Sequence, residues 1–298
     1  MLGGSIKEEL LHSNHELEVL APTSSELNLK DKEATETYLR RNRPDIIVHC
    51  AAKVGGIQAN IKDPWEFLYA NLIIDSNLIG AAFNAQIKSF FYFGSSCMYP
   101  AVTAQPMSES QLFSGKLEST NEGYAIAKLT GTKLIETAAT QFGLDWHAFI
   151  LSNLYGPRDN FNLESSHLVA AIINKIDTAL KSKSEAVEMW GDGSARREFT
   201  FVHDVSRFIV SRIGNSIDLP KVLNLGSSRD YSIIEYYQKV AKVMEYSGSI
   251  RAFPDKPSGM QHKLMDSSLA SNFGWSPPTE LEAGLSITID YFKSKGSK

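Results

Sequence analysis

The segment Phe90-Phe91-Tyr92-Phe93, followed at once by Gly94-Ser95-Ser96-Cys97, constrains the fold of this chain more than any other. Four consecutive aromatic residues leave no polar side. A strand of that kind is buried on both faces, as in a parallel sheet covered by helices. The neighbouring patterns agree. Strand-like runs at Glu16 to Leu20, Asp45 to Cys50, Ser89 to Ser95 and Trp146 to Ser152 alternate with helical runs at Lys30 to Arg43, Trp65 to Gln86 and Glu122 to Phe142. Such alternation predicts an α/β fold, a Rossmann-type doubly wound parallel sheet with helices on both faces.

After about Gly156 the pattern loosens. A helix is predicted at Ser166 to Leu180, short strands at Glu188 to Trp190 and Val222 to Leu225, and helices at Ile233 to Glu245 and Leu281 to Lys293. Pro254, Pro257, Pro277 and Pro278 mark the loops between them. The chain therefore divides into a sheet region over 1–156 and a smaller mixed α/β region over 157–298 that interleaves with it.

In open α/β sheets the ligand crevice lies at the carboxyl ends of the strands. Ser95, Ser96 and Cys97 close the aromatic strand, and Tyr124-Ala-Ile-Ala-Lys128 opens the next helix. A spacing of four puts Tyr124 and Lys128 on one helix face. A lysine one turn from a phenol can lower the phenol's pKa, giving a proton donor or acceptor usable near neutral pH. Carbonyl reduction requires such a group.

Composition narrows the function by exclusion. A net charge of −4 over 298 residues, without a basic run, gives no footprint for nucleic acid. The apolar stretches fall well short of the roughly twenty residues that span a bilayer. The acidic first helix lacks the basic start and apolar centre of a signal peptide, so a cytoplasmic protein without membrane association is expected. The two cysteines, Cys50 and Cys97, make no disulfide framework, and the seven histidines show no metal-ligand spacing, so no metal site is expected. Cys50 reads as a buried strand residue.

The blocks Lys53-Val54-Gly55-Gly56-Ile57, Gly94-Ser95-Ser96-Cys97-Met98-Tyr99-Pro100, Tyr124-Ala-Ile-Ala-Lys128, Asn153-Leu154-Tyr155-Gly156-Pro157 and Arg197-Glu198-Phe199 occur in this order. In them the chain resembles the GDP-L-fucose synthases, a family of extended short-chain dehydrogenase/reductases, from about Gly3 to the last helix. The resemblance implies epimerisation of GDP-4-keto-6-deoxy-D-mannose at C3 and C5, then reduction of its C4 ketone with NADP(H). It implies Cys97 and His167 as the acid/base pair, Tyr124 as proton donor to the C4 oxygen, Ser95 as a second donor there, and Lys128 as a partner of the nicotinamide ribose. A thiol with an ordinary pKa near 8.5 is a workable base once a positive charge stabilises the thiolate, and Lys128 or the oxidised nicotinamide would supply it.

The same resemblance implies cofactor contacts at Gly3, Ala51, Ala52, Lys53, Gly94, Ser95, Ser96, Lys128, Leu151, Ser152, Asn153, Leu154 and His167. Substrate contacts are implied at Lys175, Trp190, Arg197 and Asp266, with the region 157–298 mainly binding the GDP-sugar. The long helices at Trp65 to Gln86 and Glu122 to Phe142 match the faces by which the family pairs, so a homodimer is expected. Two departures qualify this. No strand precedes the first helix, predicted at Ile6 to Ser13, and of the glycine-rich turn only Gly3 matches the last member. A shortened reading frame of a complete enzyme is expected in preference to a truncated paralogue. Ala21-Pro22-Thr23-Ser24-Ser25 replaces the arginine-bearing stretch that would hold a 2'-phosphate, so weak discrimination between NADPH and NADH is expected. The rival readings are another nucleotide-sugar epimerase or reductase of the superfamily, and a non-catalytic nucleotide-sugar-binding protein. Dehydratases of this fold carry a Thr-Asp-Glu-type acid pair at the strand end, where this chain has Ser95-Ser96-Cys97.

Overall fold

The structure is a computed structural model that describes residues 1–13, 17–255 and 259–296. The chain opens on α1 (Leu2–His12) and α2 (Lys32–Asn42), then β1 (Ile46–His49), the short α3 (Ile57–Lys62), α4 (Pro64–Asn84), β2 (Ser89–Ser95), α5 (Glu122–Phe142), β3 (Asp145–Leu151) and β4 (Asn153–Tyr155). It continues through α6 (Leu168–Ser182), β5 (Ala186–Trp190), β6 (Arg196–Phe201), α7 (Val202–Arg212), β7 (Val222–Leu225), β8 (Asp230–Ser232) and α8 (Ile233–Val243). The last elements are β9 (Ser249–Phe253), β10 (His262–Lys263), α9 (Ser268–Ser271) and α10 (Leu281–Gly296).

Local chemistry sets several boundaries. Asp31 caps α2 by accepting from the Ala34 amide at 2.9 Å, and Pro64 starts α4 where no amide donor is needed. Gly143 ends α5 in the left-handed conformation at φ 65°, and Ser232 with Glu235 forms a capping box on α8.

The main sheet is parallel, in the order β1-β2-β3-β7. The aromatic run is its centre, with successive side chains on opposite faces. Phe90 and Tyr92 join Leu78, Ile79 and Trp146 under α4 and α5, whereas Phe91 and Phe93 join Ile6, Phe149, Val205 and Phe208 under α1 and α7. Burying each such ring contributes about 1.5 to 3 kcal/mol, which is why this strand needs no polar face. The second region packs α6, α8 and α10 on β5 and β6, with β6 flanked by β4 and β10 and met antiparallel by β8. Since β7 belongs to the main sheet, the chain returns to it late.

Two expectations change. The predicted strand from Glu16 to Leu20 is absent among its described residues: 17–20 belong to no strand or helix, and Leu17 and Leu20 are exposed. Glu16 lies outside the described residues, as does Pro257. A strand is stabilised by a neighbour's ladder, and among the described residues no strand lies on the outer side of β1, which forms the sheet edge. The first helix also begins earlier than Ile6, taking in Gly3 and Gly4. A Cβ on Gly3 would lie 3.1 Å from Cys50 Cβ, so glycine lets α1 seat closely on the end of β1.

Candidate active site

A cavity of about 610 Å³ opens where β1, β2 and β3 end. Its wall includes Ser95, Cys97, Tyr124, Lys128 and His167, contributed by the end of β2, the turn after it, α5 and the residue before α6. Gly94 allows the turn, since a Cβ there would come within 2.8 Å of both Ile150 and Met98. The Ser95 hydroxyl then accepts from the Cys97 amide at 3.3 Å and caps the single 3-10 turn Ser96–Met98, which aims Cys97 across the cavity.

The sulfur of Cys97 receives two hydrogen bonds. Asn121 Nδ2 donates at 3.2 Å and Lys263 Nζ at 3.3 Å. The positive charge beside the thiol is thus that of Lys263, where the sequence pointed to Lys128. His167 is the N-cap residue of α6, and its side chain makes no cap bond. Burial and the nearby Lys263 charge hold its imidazole below the ordinary value, so it is neutral at pH 7.

Tyr124 and Lys128 share a face as expected, but the electrostatics run the other way. Burial, the thiol of Cys97 and the carboxylate of Asp75 push the Tyr124 phenol above its ordinary value, against a hydrogen bond with Ser95. Tyr124 is therefore protonated in the ligand-free protein and suited to donate. Lys128 is met by Asp75, whose Oδ2 lies 3.6 Å from Nζ.

Of the other residues implied by resemblance, Ala52, Gly94, Leu151, Ser152, Asn153, Leu154 and Arg197 line the cavity. Gly3 does not line it, although its neighbours Met1 and Leu2 do. Ser96 is buried, and Ala51 and Lys53 are not among the lining residues. The Lys53 backbone is tied to Asn71, and its ammonium lies 3.6 Å from both Asp63 and Glu66. Lys175 is directed away: its Nζ donates to the Glu188 carbonyl at 3.0 Å and lies 5.9 Å over the Trp190 ring. Asp266 is taken up by the Ser268 amide at 2.9 Å, and its carbonyl accepts from Asn224. Neither Lys175, Trp190 nor Asp266 lines the cavity.

Sequence reasoning missed Lys263, Asn121, Arg158 and Glu118, all on the cavity wall. No periodicity marks them, because they lie in irregular segments or a strand of two residues. Cys50 departs from its reading as a buried strand residue, since it follows β1 and is half-buried on the cavity wall, while burial pushes its thiol up to about 12 and leaves it inert. Glu198 is a buried carboxylate that accepts from the Met265 amide at 2.9 Å and the Ser228 amide at 2.7 Å.

The cavity suits a dinucleotide at two points. The N-terminus of α1, an eleven-residue helix, forms part of the wall beside Arg158, and amide donors there favour an anion. Among the described residues, Asn60 Oδ1 and Asn121 Oδ1 are buried without a hydrogen-bond partner, and both residues line the cavity.

The sequence model of the NAD dependent epimerase/dehydratase family matches residues 1–226. The chain belongs to that family. Within it, the chain is 42% identical to a GDP-L-colitose synthase of Yersinia pseudotuberculosis, over 97% of this chain and 95% of the relative. It is 42% identical to a GDP-L-fucose synthase of Azorhizobium caulinodans, over 92% of this chain and 88% of the relative. Among solved structures, a GDP-mannoheptose C4 reductase from Campylobacter jejuni with NADP bound superposes with a TM-score of 0.87 at 26% identity, covering 98% of this chain and 95% of that one. The resemblance to GDP-L-fucose synthases thus holds over most of the chain, and this member of the NAD dependent epimerase/dehydratase family is an enzyme.

Proposed function

We propose that the protein converts GDP-4-keto-6-deoxy-D-mannose to GDP-L-fucose, by 3,5-epimerisation followed by reduction at C4. The observation that carries this reading is Cys97, held by Asn121 and Lys263 in the same cavity as His167 and Tyr124. A 4-keto group acidifies C3 and C5. One of Cys97 and His167 removes a proton there, and the other returns one from the opposite face. Ser95 and Tyr124 hydrogen-bond to the carbonyl oxygen while negative charge develops on it, which typically lowers the barrier by a few kcal/mol per donor. NADPH, when bound, supplies the hydride for C4. Tyr124 gives its proton to the C4 oxygen, and Lys128 holds the nicotinamide ribose beside it.

Gly94, Ser152, Asn153 and Leu154 support the nicotinamide end, and the α1 N-terminus with Arg158 supports the pyrophosphate. Arg197 meets the GDP phosphates, whereas Lys175, Trp190 and Asp266 stand off the cavity wall. The residues 1–156 carry the cofactor and 157–298 mainly the GDP-sugar, in a cytoplasmic homodimer.

Formation of GDP-L-colitose is the second reading, favoured by a relative of that name at the same identity. Incubating the purified chain with GDP-4-keto-6-deoxy-D-mannose and NADPH separates them. Loss of NADPH absorbance with GDP-L-fucose as product is the expected result, and a folded chain without turnover would defeat the reading.

A further inference from the structure

Asp75 takes no part in the steps above, yet three polar groups converge on its carboxylate, which α4 holds at 2% exposure. His49 Nε2 lies 2.9 Å from Oδ1, the Tyr92 hydroxyl donates to Oδ2 at 2.6 Å, and the Lys128 ammonium is 3.6 Å from Oδ2. That ammonium also sits 4.4 Å over the Tyr92 ring. The cluster ties β1 and β2 to α4 and α5, and room is kept for it. A Cβ on Gly131 would come within 2.2 Å of the Tyr92 hydroxyl and 3.0 Å of Asp75 Oδ2.

The charges in the cluster follow from burial and pairing. Burial alone would raise the Asp75 carboxyl, but Lys128, His49 and Tyr92 together hold it below its ordinary value, so it is an anion. Burial pushes His49 down despite Asp75, leaving a neutral imidazole that donates Nε2–H to the carboxylate. Lys128 is 3% exposed, and its burial works against its charge, with Asp75 opposing that effect. The other groups facing it are neutral: the Cys50 thiol, pushed up to about 12, and the phenols of Tyr92 and Tyr124, both pushed up by burial. Among the described residues Asp75 is therefore the anion that answers Lys128. His49 and Lys128 both reach the cavity wall.

We propose that Asp75 is a positioning residue of this site, which fixes Lys128 as a cation at the cavity wall beside Tyr124, with His49 and Tyr92 orienting its carboxylate. The inference rests on the reading that Lys128 serves ketone reduction. Removing one member of a buried pair leaves the other charge uncompensated, and a lysine so stranded neutralises. In Asp75→Asn, Lys128 loses its proton at lower pH. Reduction then falls by about tenfold or more at pH 8 and recovers as the pH is lowered, because acid restores the ammonium. Asp75→Glu keeps the charge and restores most of the rate.

The test combines pH profiles of single-turnover reduction with the Cε resonance of Lys128 in protein labelled with 13C-lysine, assigned by its loss in Lys128→Arg. Expected is a wild-type Lys128 that stays cationic to pH 8, and an Asp75→Asn Lys128 that titrates at least about one unit lower. Coincident resonances and coincident pH profiles in wild type and Asp75→Asn overturn the proposal. If Asp75→Asn does not fold, the wild-type resonance decides: a neutral Lys128 at pH 7 overturns it and a cation at pH 8 supports it. Absence of sugar turnover by the wild type would sink the functional reading alone, since the resonance reports on Asp75 without substrate.

Discussion

The ammonium of Lys263 lies 3.3 Å from the sulfur of Cys97. It is delivered there by β10, whose Lys263 pairs in register with Arg197 of β6. A cation so placed stabilises negative charge on sulfur, and hydrogen bonds involving a charged group typically contribute about 1.5 to 3 kcal/mol. Lys263→Met is expected to slow deuterium incorporation at C3 and C5 by roughly ten- to hundredfold in D2O. Exchange at the wild-type rate would remove Lys263 from the epimerisation.

Cys97 and Tyr124 border one cavity, but Cys97 serves epimerisation alone whereas Tyr124 bears most on reduction, so their variants should separate. Cys97→Ser is expected to lose C3/C5 exchange while reducing a pre-epimerised sugar. Tyr124→Phe is expected to slow exchange less than reduction, which falls by about a hundredfold to a thousandfold, because Ser95 still donates to the enolate oxygen whereas the proton for the C4 oxygen is lost. Equal losses in both steps for both variants would contradict the division.

Cofactor discrimination is expected to be weak. The turn at Thr23 to Ser25 is exposed, and the Thr23 amide and hydroxyl both donate to the Glu26 carboxylate, at 2.7 and 2.9 Å. A carboxylate there opposes a 2'-phosphate, and no arginine stands in the turn. Fluorescence titration should give NADPH and NADH affinities within a few-fold of each other; a strong preference for NADPH would refute this.

Glu198 makes stability pH-dependent. Burial pushes its carboxyl up to about 7 from an ordinary 4.5, against the Met265 and Ser228 amides. The folded state thus binds the proton more tightly than the unfolded state. The sign follows: this contribution is complete below about 4.5 and is lost as pH rises through about 7, on the order of 3 kcal/mol in all. The melting temperature of Glu198→Gln should fall less steeply than that of the wild type from pH 5 to 7.5, as followed by circular dichroism; parallel slopes would exclude this role.

Self-association is expected through α4 and α5, where Trp65, Tyr69, Phe83, Ile126, Leu134 and Phe142 are exposed. Trp65 stacks on Tyr69 at 5.3 Å and Phe83 meets Phe142 at 4.9 Å, so the apolar surface runs across both helices. Light scattering should give twice the chain mass for the wild type and the chain mass for Leu134→Glu. A wild-type monomer at micromolar concentration would exclude the homodimer.

Much of this architecture was legible locally. The aromatic run became β2 over Ser89–Ser95, and the helical period from Glu122 to Phe142 became α5 with the same ends. Periodicity reports burial, and burial of these segments is decided within a few residues. The run at Glu16 to Leu20 misled because a strand's stability belongs to the pair, and its described residues have no partner.

The sequence by itself determined the parallel α/β sheet, the shared face of Tyr124 and Lys128, and the turn that presents Ser95 and Cys97, since each depends on neighbours in the chain. Only the tertiary structure decided the electrostatics of the site. Lys263 reaches Cys97 across 166 positions, Asp75 reaches Lys128 from another helix, and Lys175 turns away to the Glu188 carbonyl. Charge interactions act through space and strengthen with burial, so partners distant in sequence set which groups carry protons, and no local pattern records them.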